Sequence, residues 1–245
     1  MKRLLYVLLI IFLVSCSAPE LSTPAPTPEP IQVIFPPSLS PWADKISTCA
    51  SKNPLIALYY NPSPIVDMNI NPKSVVLQLG ESSESVYNST LSQIGWEQIA
   101  IIYNQERDLS QLSRSDLQSI FSGATKSWDG DSGQPIQVWV FPAEEAVRKC
   151  FDQAVLQSYP ITTEARLAPD PDAMLQAISN DPNAIGYVPE SIISSTDPAL
   201  VSKVKILQVD KSLQDGLRQP VIAITKNEPE GLIRELLVCV QSIAP

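Results

Sequence analysis

Along residues 31–245, short runs of β-branched and aromatic residues alternate with stretches whose apolar positions recur every three or four residues. That alternation is the signature of an α/β chain. Strands are predicted at 31–35, 55–60, 74–79, 98–103, 136–141, 184–188, 203–209 and 220–225. A helix over 42–50 follows the Pro36-Pro37 turn, and Ser113 caps a second helix running to Phe121, with Asp116 placed to complete a capping box. Asp170 before Pro171 starts a third helix, because its carboxylate can accept orphan amides and the proline is preset for the first turn. Met174, Leu175 and Ile178 are its apolar stripe, and Asn180-Asp181-Pro182-Asn183 turns the chain into the next strand. The last helix is predicted at 229–241, with Leu232, Ile233, Leu236, Leu237 and Val240 on its apolar side.

The start of the chain has a different pattern. Lys2 and Arg3 precede an apolar run over residues 4–14, interrupted only by Tyr6, which is the layout of an export signal. The run is about half the ~20 residues that a spanning helix needs. It stops at Leu13-Val14-Ser15-Cys16, which is similar to the bacterial lipobox, where the cysteine becomes the first residue and is acylated. That resemblance implies cleavage before Cys16 and a membrane partner held through the lipid. Pro19, Pro24, Pro26, Pro28 and Pro30 then favour an extended tether that cannot build a core. The expected organisation is a signal peptide at 1–15, a tether at 16–30 and a folded part at 31–245, outside the cytoplasm in a periplasm or on an outer surface.

Composition narrows the chemistry. Hydrophobic residues are 44% of the chain and charged ones 18%, so the folded part can bury a core. Seventeen basic and 26 acidic residues give −9, and loss of Lys2 and Arg3 leaves 15 against 26, near −11, which speaks against nucleic acid. There is no histidine, which removes the usual general base, triad partner and metal ligand together. The one Ser-X-X-Lys arrangement, Ser202 to Lys205, lies in an alternating stretch that reads as a strand rather than a helix start. No CxxC pair supports zinc or dithiol chemistry, so no metal, cofactor or catalytic activity is expected. In an oxidising compartment Cys49, Cys150 and Cys239 permit one bridge with one thiol left over. Cys49 and Cys239 sit in predicted helices near opposite ends of the folded part, where a returning chain would bring them together. That bridge would contribute roughly 4–5 kcal/mol by closing a long loop. The alternative is three unpaired thiols.

The segment Leu112-Ser113-Arg114-Ser115-Asp116-Leu117-Gln118-Ser119-Ile120-Phe121-Ser122-Gly123, followed by Trp128, resembles the helix, glycine turn and tryptophan that open the second lobe of phosphate-type ABC transporter substrate-binding proteins. The later Ala184-Ile185-Gly186-Tyr187-Val188-Pro189 is similar to the strand with which that family closes the same lobe. An apolar strand and helix at 220–241 finish the chain in the same order. The resemblance covers residues 31–245, most clearly 112–189, and implies an α/β, two-lobed periplasmic-binding-protein-like fold with a ligand cleft between the lobes. One lobe is expected at 31–106 plus 207–245 and the other at 107–206.

Strand ends and helix starts at such a mouth suit an anion, because unpaired amides already point outward. The residues expected there are Ser38, Leu39 and Ser40 after the first strand and Gly80, Glu81 and Ser82 after the third. Helix capping and a solvated loop are the competing reading of the same residues. One departure from the family stands out after Val138-Trp139-Val140-Phe141, where phosphate binders carry an arginine and a Gly-Ser-Gly-Thr turn. This chain reads Pro142-Ala143-Glu144-Glu145, and those glutamates would satisfy the helix N-terminus and repel a dianion. Arg148 could reach a ligand or pair with Glu144 or Glu145 at helical spacing. The functions that follow are capture of a small-molecule or anionic solute by a monomer, with delivery to an ABC permease, or a degenerate domain serving as an interaction or sensor module.

Overall fold

The computed structural model describes residues 27–63, 70–81, 89–128 and 134–244. The export segment, Cys16, most of the tether and Ser82 therefore lie outside the described residues. The first half runs β1 (Glu29–Phe35), a 3-10 turn (Pro37–Leu39), α1 (Ser40–Ala50), β2 (Ile56–Pro62), β3 (Ser74–Leu79), β4 (Thr90–Asn104) and α2 (Arg114–Phe121). It continues through β5 (Gln137–Val140), α3 (Ala146–Phe151), a π turn (Asp152–Leu156), β6 (Arg166–Leu167), α4 (Pro171–Asn180) and β7 (Ala184–Pro189). The chain ends with α5 (Glu190–Ser195), α6 (Pro198–Val201), β8 (Val204–Ile206), α7 (Lys211–Gly216), β9 (Arg218–Thr225) and α8 (Gly231–Ile243).

The strands lie in the order β2-β1-β3-β9-β4-β7-β5-β6, with β8 also paired to β4. β1 is parallel to β2 and β3, and β5 is parallel to β6 and β7, as crossover connections through helices require. β4 joins the two groups. Its first part pairs antiparallel with β9 from Thr90 to Gln98, and its second part pairs with β7 from Ile99 to Tyr103. A register shift between Gln93 and Gly95 bends it before the change of neighbour.

Strand β4 begins at Thr90 rather than at 98, because its polar, glycine-containing first half is held by the β9 ladder rather than by an apolar run. β8 is shorter than 203–209: Leu207 N–H still donates to Ile101 O at 2.8 Å, but Val209 forms only an isolated bridge with Leu112. α8 starts at Gly231, two residues later than expected, with Glu230 as its N-cap. The Ser202–Lys205 stretch spans the end of α6 and the start of β8, and Lys205 Nζ donates to Arg107 O at 3.3 Å.

The predicted caps form. Asp116 N–H donates to Ser113 Oγ at 3.2 Å while Ser113 N–H donates to Asp116 Oδ2 at 2.9 Å, and Ala173 N–H donates to Asp170 Oδ1 at 2.8 Å. Met174, Leu175 and Ile178 are fully buried. The centre of the core is aromatic: Tyr187 stacks on Phe151 with ring centroids 3.8 Å apart, and Phe121 and Phe141 pack around them. Cys49 and Cys239 are bonded, with their Cα atoms 5.9 Å apart, and fasten α1 to α8. Cys150 is free and buried, and burial pushes its thiol up to about 12, so it packs as an apolar group. Among the described residues no helix is long and apolar enough to cross a membrane.

Candidate functional site

One segment expected at the ligand mouth meets the turn at which the chain departs from the phosphate binders. β1 ends at Phe35, and the Pro36-Pro37 turn places Ser38 and Leu39 in a buried 3-10 turn. From the other side β5 ends at Val140 and the chain turns through Pro142 to Glu145, the N-cap of α3. Ser38 Oγ donates to Glu145 Oε2 at 2.9 Å across 107 residues of sequence. Ser38 is 0% exposed and Glu145 1%. The glutamate does not cap its own helix, contrary to the sequence expectation; its side chain makes no bond to the α3 amides and turns to Ser38 instead. Burial raises its carboxyl above the ordinary value, with the Ser38 bond opposing.

Arg148 is also engaged within the protein. Its Nε donates to both Asp152 oxygens at 2.8 Å, and its Nη1 donates to Phe141 O at 2.8 Å. Asp152, one turn further along, replaces Glu144 or Glu145 as the partner because Glu145 is already turned toward Ser38. Burial raises the Asp152 carboxyl, and the guanidinium opposes this. Gly80 closes β3 against α3 with φ +77°, and a Cβ there would lie 2.8 Å from Cys150 Sγ. Ser40 begins α1 half-buried, and Glu81 is exposed. Ser38 and the Pro142–Glu145 turn therefore converge on the start of α3, with Gly80 packed nearer its end, and the protein's own carboxyl is the partner of the Ser38 hydroxyl there.

A second feature had no counterpart in the sequence expectations. A cavity of about 710 Å³ is bounded by α1, the middle of β4, α5, α7 and the start of β9. Its wall includes Trp42, Lys45, Trp96, Glu97, Glu190 and Arg218. Glu97 is 3% exposed and accepts from Trp42 Nε1 at 2.7 Å and from Ser191 N–H at 3.2 Å, so both of its oxygens are used. Lys45 Nζ lies 3.8 Å from the Trp42 ring centroid, and the Arg218 guanidinium lies 4.8 Å from that of Trp96. Burial lowers the Lys45 ammonium, with Glu97 opposing, whereas burial and then Glu97 raise the Glu190 carboxyl. Gly95 makes the arrangement possible, since a Cβ there would fall within the Trp42 ring atoms. The only sequence signal is an acid, Glu97, beside the apolar run Ile99-Ala100-Ile101. Among the described residues no group of acids and cysteines could hold a metal ion.

A mixed α/β sheet whose two groups of strands share β4 matches the two-lobed binding-protein fold. A model for the PBP superfamily domain matches residues 78–240, more than half of the chain, and the protein belongs to that periplasmic-binding-protein superfamily. Among solved structures, a proposed phosphate ABC transporter substrate-binding protein with bound phosphate from Clostridium perfringens is similar with a TM-score of 0.73 at 16% identity, covering 86% of this chain and 93% of that one. An ABC-type phosphate transport receptor from Vibrio cholerae is similar with a TM-score of 0.61 at 15% identity, over 86% and 93% of the two chains. The regulatory domain of CcmR from Synechocystis, in complex with 2-PG, matches with a TM-score of 0.61 at 10% identity, over 88% and 99%. No curated relative matches the sequence. At these identities the structural likenesses define the fold.

Proposed function

We propose that this chain is a non-catalytic, extracytoplasmic solute-binding protein, tethered to a membrane through acylated Cys16, whose ligand is not free phosphate. The observation that carries this reading is the Ser38–Glu145 bond. The superfamily's fold is present, yet the Ser38 segment expected at the mouth is bonded to the protein's own Glu145 carboxyl. An incoming dianion would meet that charge in a buried site, with Arg148 already bonded to Asp152 and Phe141 O. Residues 31–106 with 207–245 form one proposed lobe and 107–206 the other, and delivery to an ABC permease follows from the likeness to transport receptors.

The same bond favours a second reading, a sensor or interaction module, because regulatory domains share this fold. Thermal melting of the full chain in mild detergent, against phosphate, sulfate, amino acids and sugars, separates the two. Solute capture predicts that one non-phosphate class raises the melting temperature, since a ligand at 100 times its Kd stabilises by about 2.7 kcal/mol. A melt unmoved by every compound, with a partner protein recovered by crosslinking, would replace solute capture by the interaction module.

A further inference from the structure

The cavity beside α5 has features that the Ser38–Glu145 contact lacks. Its volume, about 710 Å³, is in the range of pockets for small organic ligands, roughly 300–1,000 Å³, and far exceeds the needs of one oxyanion. Its lining crosses the proposed lobe boundary, because α5 belongs to one proposed lobe while α1, α7 and the start of β9 belong to the other. A solute seated there would touch both lobes and favour one relative placement of them.

The charges in this cavity are of both signs. In a chain of net charge −9, Lys45 and Arg218 face the same space, and neither has an ion-pair partner among the described residues. Each cation lies against an indole. The Arg218 guanidinium carbon lies 4.8 Å from the Trp96 ring centroid, and the group carries five N–H donors of the kind that bind a carboxylate in pairs. Opposite charge comes from Glu97 and Glu190. Glu97 is buried and satisfied by two donors, and its negative charge bears on Glu190, which has no salt-bridge partner among the described residues. Two acids in that relation favour a cation or a strong donor between them. Asp44 adds a further exposed carboxylate on the same wall. Trp96, 41% exposed, adds an apolar surface.

From this we infer that the cavity binds a zwitterionic, amino-acid-type solute with an apolar or aromatic side chain. Its carboxylate is held by Arg218 and Lys45, its ammonium faces Glu190 and Glu97, and its side chain lies against Trp96. The inference rests on the solute-binding reading and gives it a site and a ligand class. An anion alone would leave Glu190 without a counter-charge, and an amine alone would leave Arg218 without one.

The test is calorimetric titration of the full chain, in mild detergent, with L-phenylalanine, 3-phenylpropionate, phenethylamine and inorganic phosphate. The expected result is binding of L-phenylalanine, with both truncated analogues at least about tenfold weaker and no heat from phosphate. Arg218→Ala and Glu190→Gln, both at exposed positions, should each weaken L-phenylalanine at least about tenfold while melting as the parent does. Should Arg218→Ala alter the melt, Arg218→Gln, which keeps a stem over Trp96, takes its place. Equal affinity for 3-phenylpropionate and L-phenylalanine would overturn the zwitterion. Unchanged L-phenylalanine binding in both variants would remove this site and leave solute capture standing. No heat from L-phenylalanine would overturn the inference, while the wider melting panel would still judge the solute-binding reading.

Discussion

At the start of α3 a hydroxyl and a carboxylate from distant segments are bonded to each other, and the nearby guanidinium is bonded to Asp152. In the cavity beside α5 two cations rest on indole rings without a salt bridge among the described residues, beside a buried acid that raises the carboxyl of its neighbour. Both places lie where segments from the two groups of strands meet. In the first, Ser38, Glu145 and Arg148 are already bonded within the protein, so a ligand must break bonds to enter. In the second, charges stay incompletely answered in a space large enough for an organic molecule. Buried polar groups are normally satisfied, so the place where satisfaction is incomplete is the better candidate for a ligand.

The largest expected effect comes from the fastening shared by both places. α1 follows directly on the Ser38 turn and also carries Trp42 and Lys45, and the Cys49–Cys239 bond holds it to α8 across 190 residues. Replacing both cysteines by alanine should cost roughly 4–5 kcal/mol in denaturant unfolding; a loss below about 1 kcal/mol would mean that α1 is held by packing alone. Gly95→Ala should act mainly on the cavity. The added methyl displaces Trp42, costs about 1–3 kcal/mol and loosens Glu97, while the Ser38–Glu145 bond persists. A variant that keeps the parent's melting temperature and Trp42 fluorescence would show that the ring has room to move.

Glu145→Gln sharpens the other side of the comparison. The folded carboxyl binds its proton more tightly than the unfolded one, whose ordinary value is about 4.5. Its contribution to stability is therefore highest at low pH and declines as pH rises from the ordinary value through the raised one. The glutamine variant should flatten the part of a urea-unfolding profile that declines as pH rises above the ordinary carboxyl value, leaving the slope due to Asp152 and Glu190, whose carboxyls shift the same way. An unchanged slope would show that Glu145 is not desolvated as its burial requires. The smallest effect is at Ser113→Ala, which breaks the α2 capping box, should cost about 1 kcal/mol and should alter ligand binding at neither place.

Much of the framework was legible because its signals are local. β3 and the caps at Ser113 and Asp170 lie where the alternation and spacing place them. The short helices α5, α6 and α7, of four to six residues, show too little period to be read. The first half of β4 is polar and contains Gly95, so only its pairing with β9 makes it a strand. Ser38 was singled out as a mouth residue, but its partner was not, since nothing local turns Glu145 away from its own helix. The cavity was invisible for the same reason: Trp42, Glu97, Glu190 and Arg218 come from four separated segments.

The central claim is that Glu145 occupies the position an anion would take, and phosphate titration tests it most directly. Isothermal titration of the full chain at neutral pH, with Glu145→Ser run beside it, should give no heat of phosphate binding for the parent chain. Phosphate bound at micromolar Kd by the parent chain would contradict the account, because the Ser38–Glu145 bond would then have to yield to an anion.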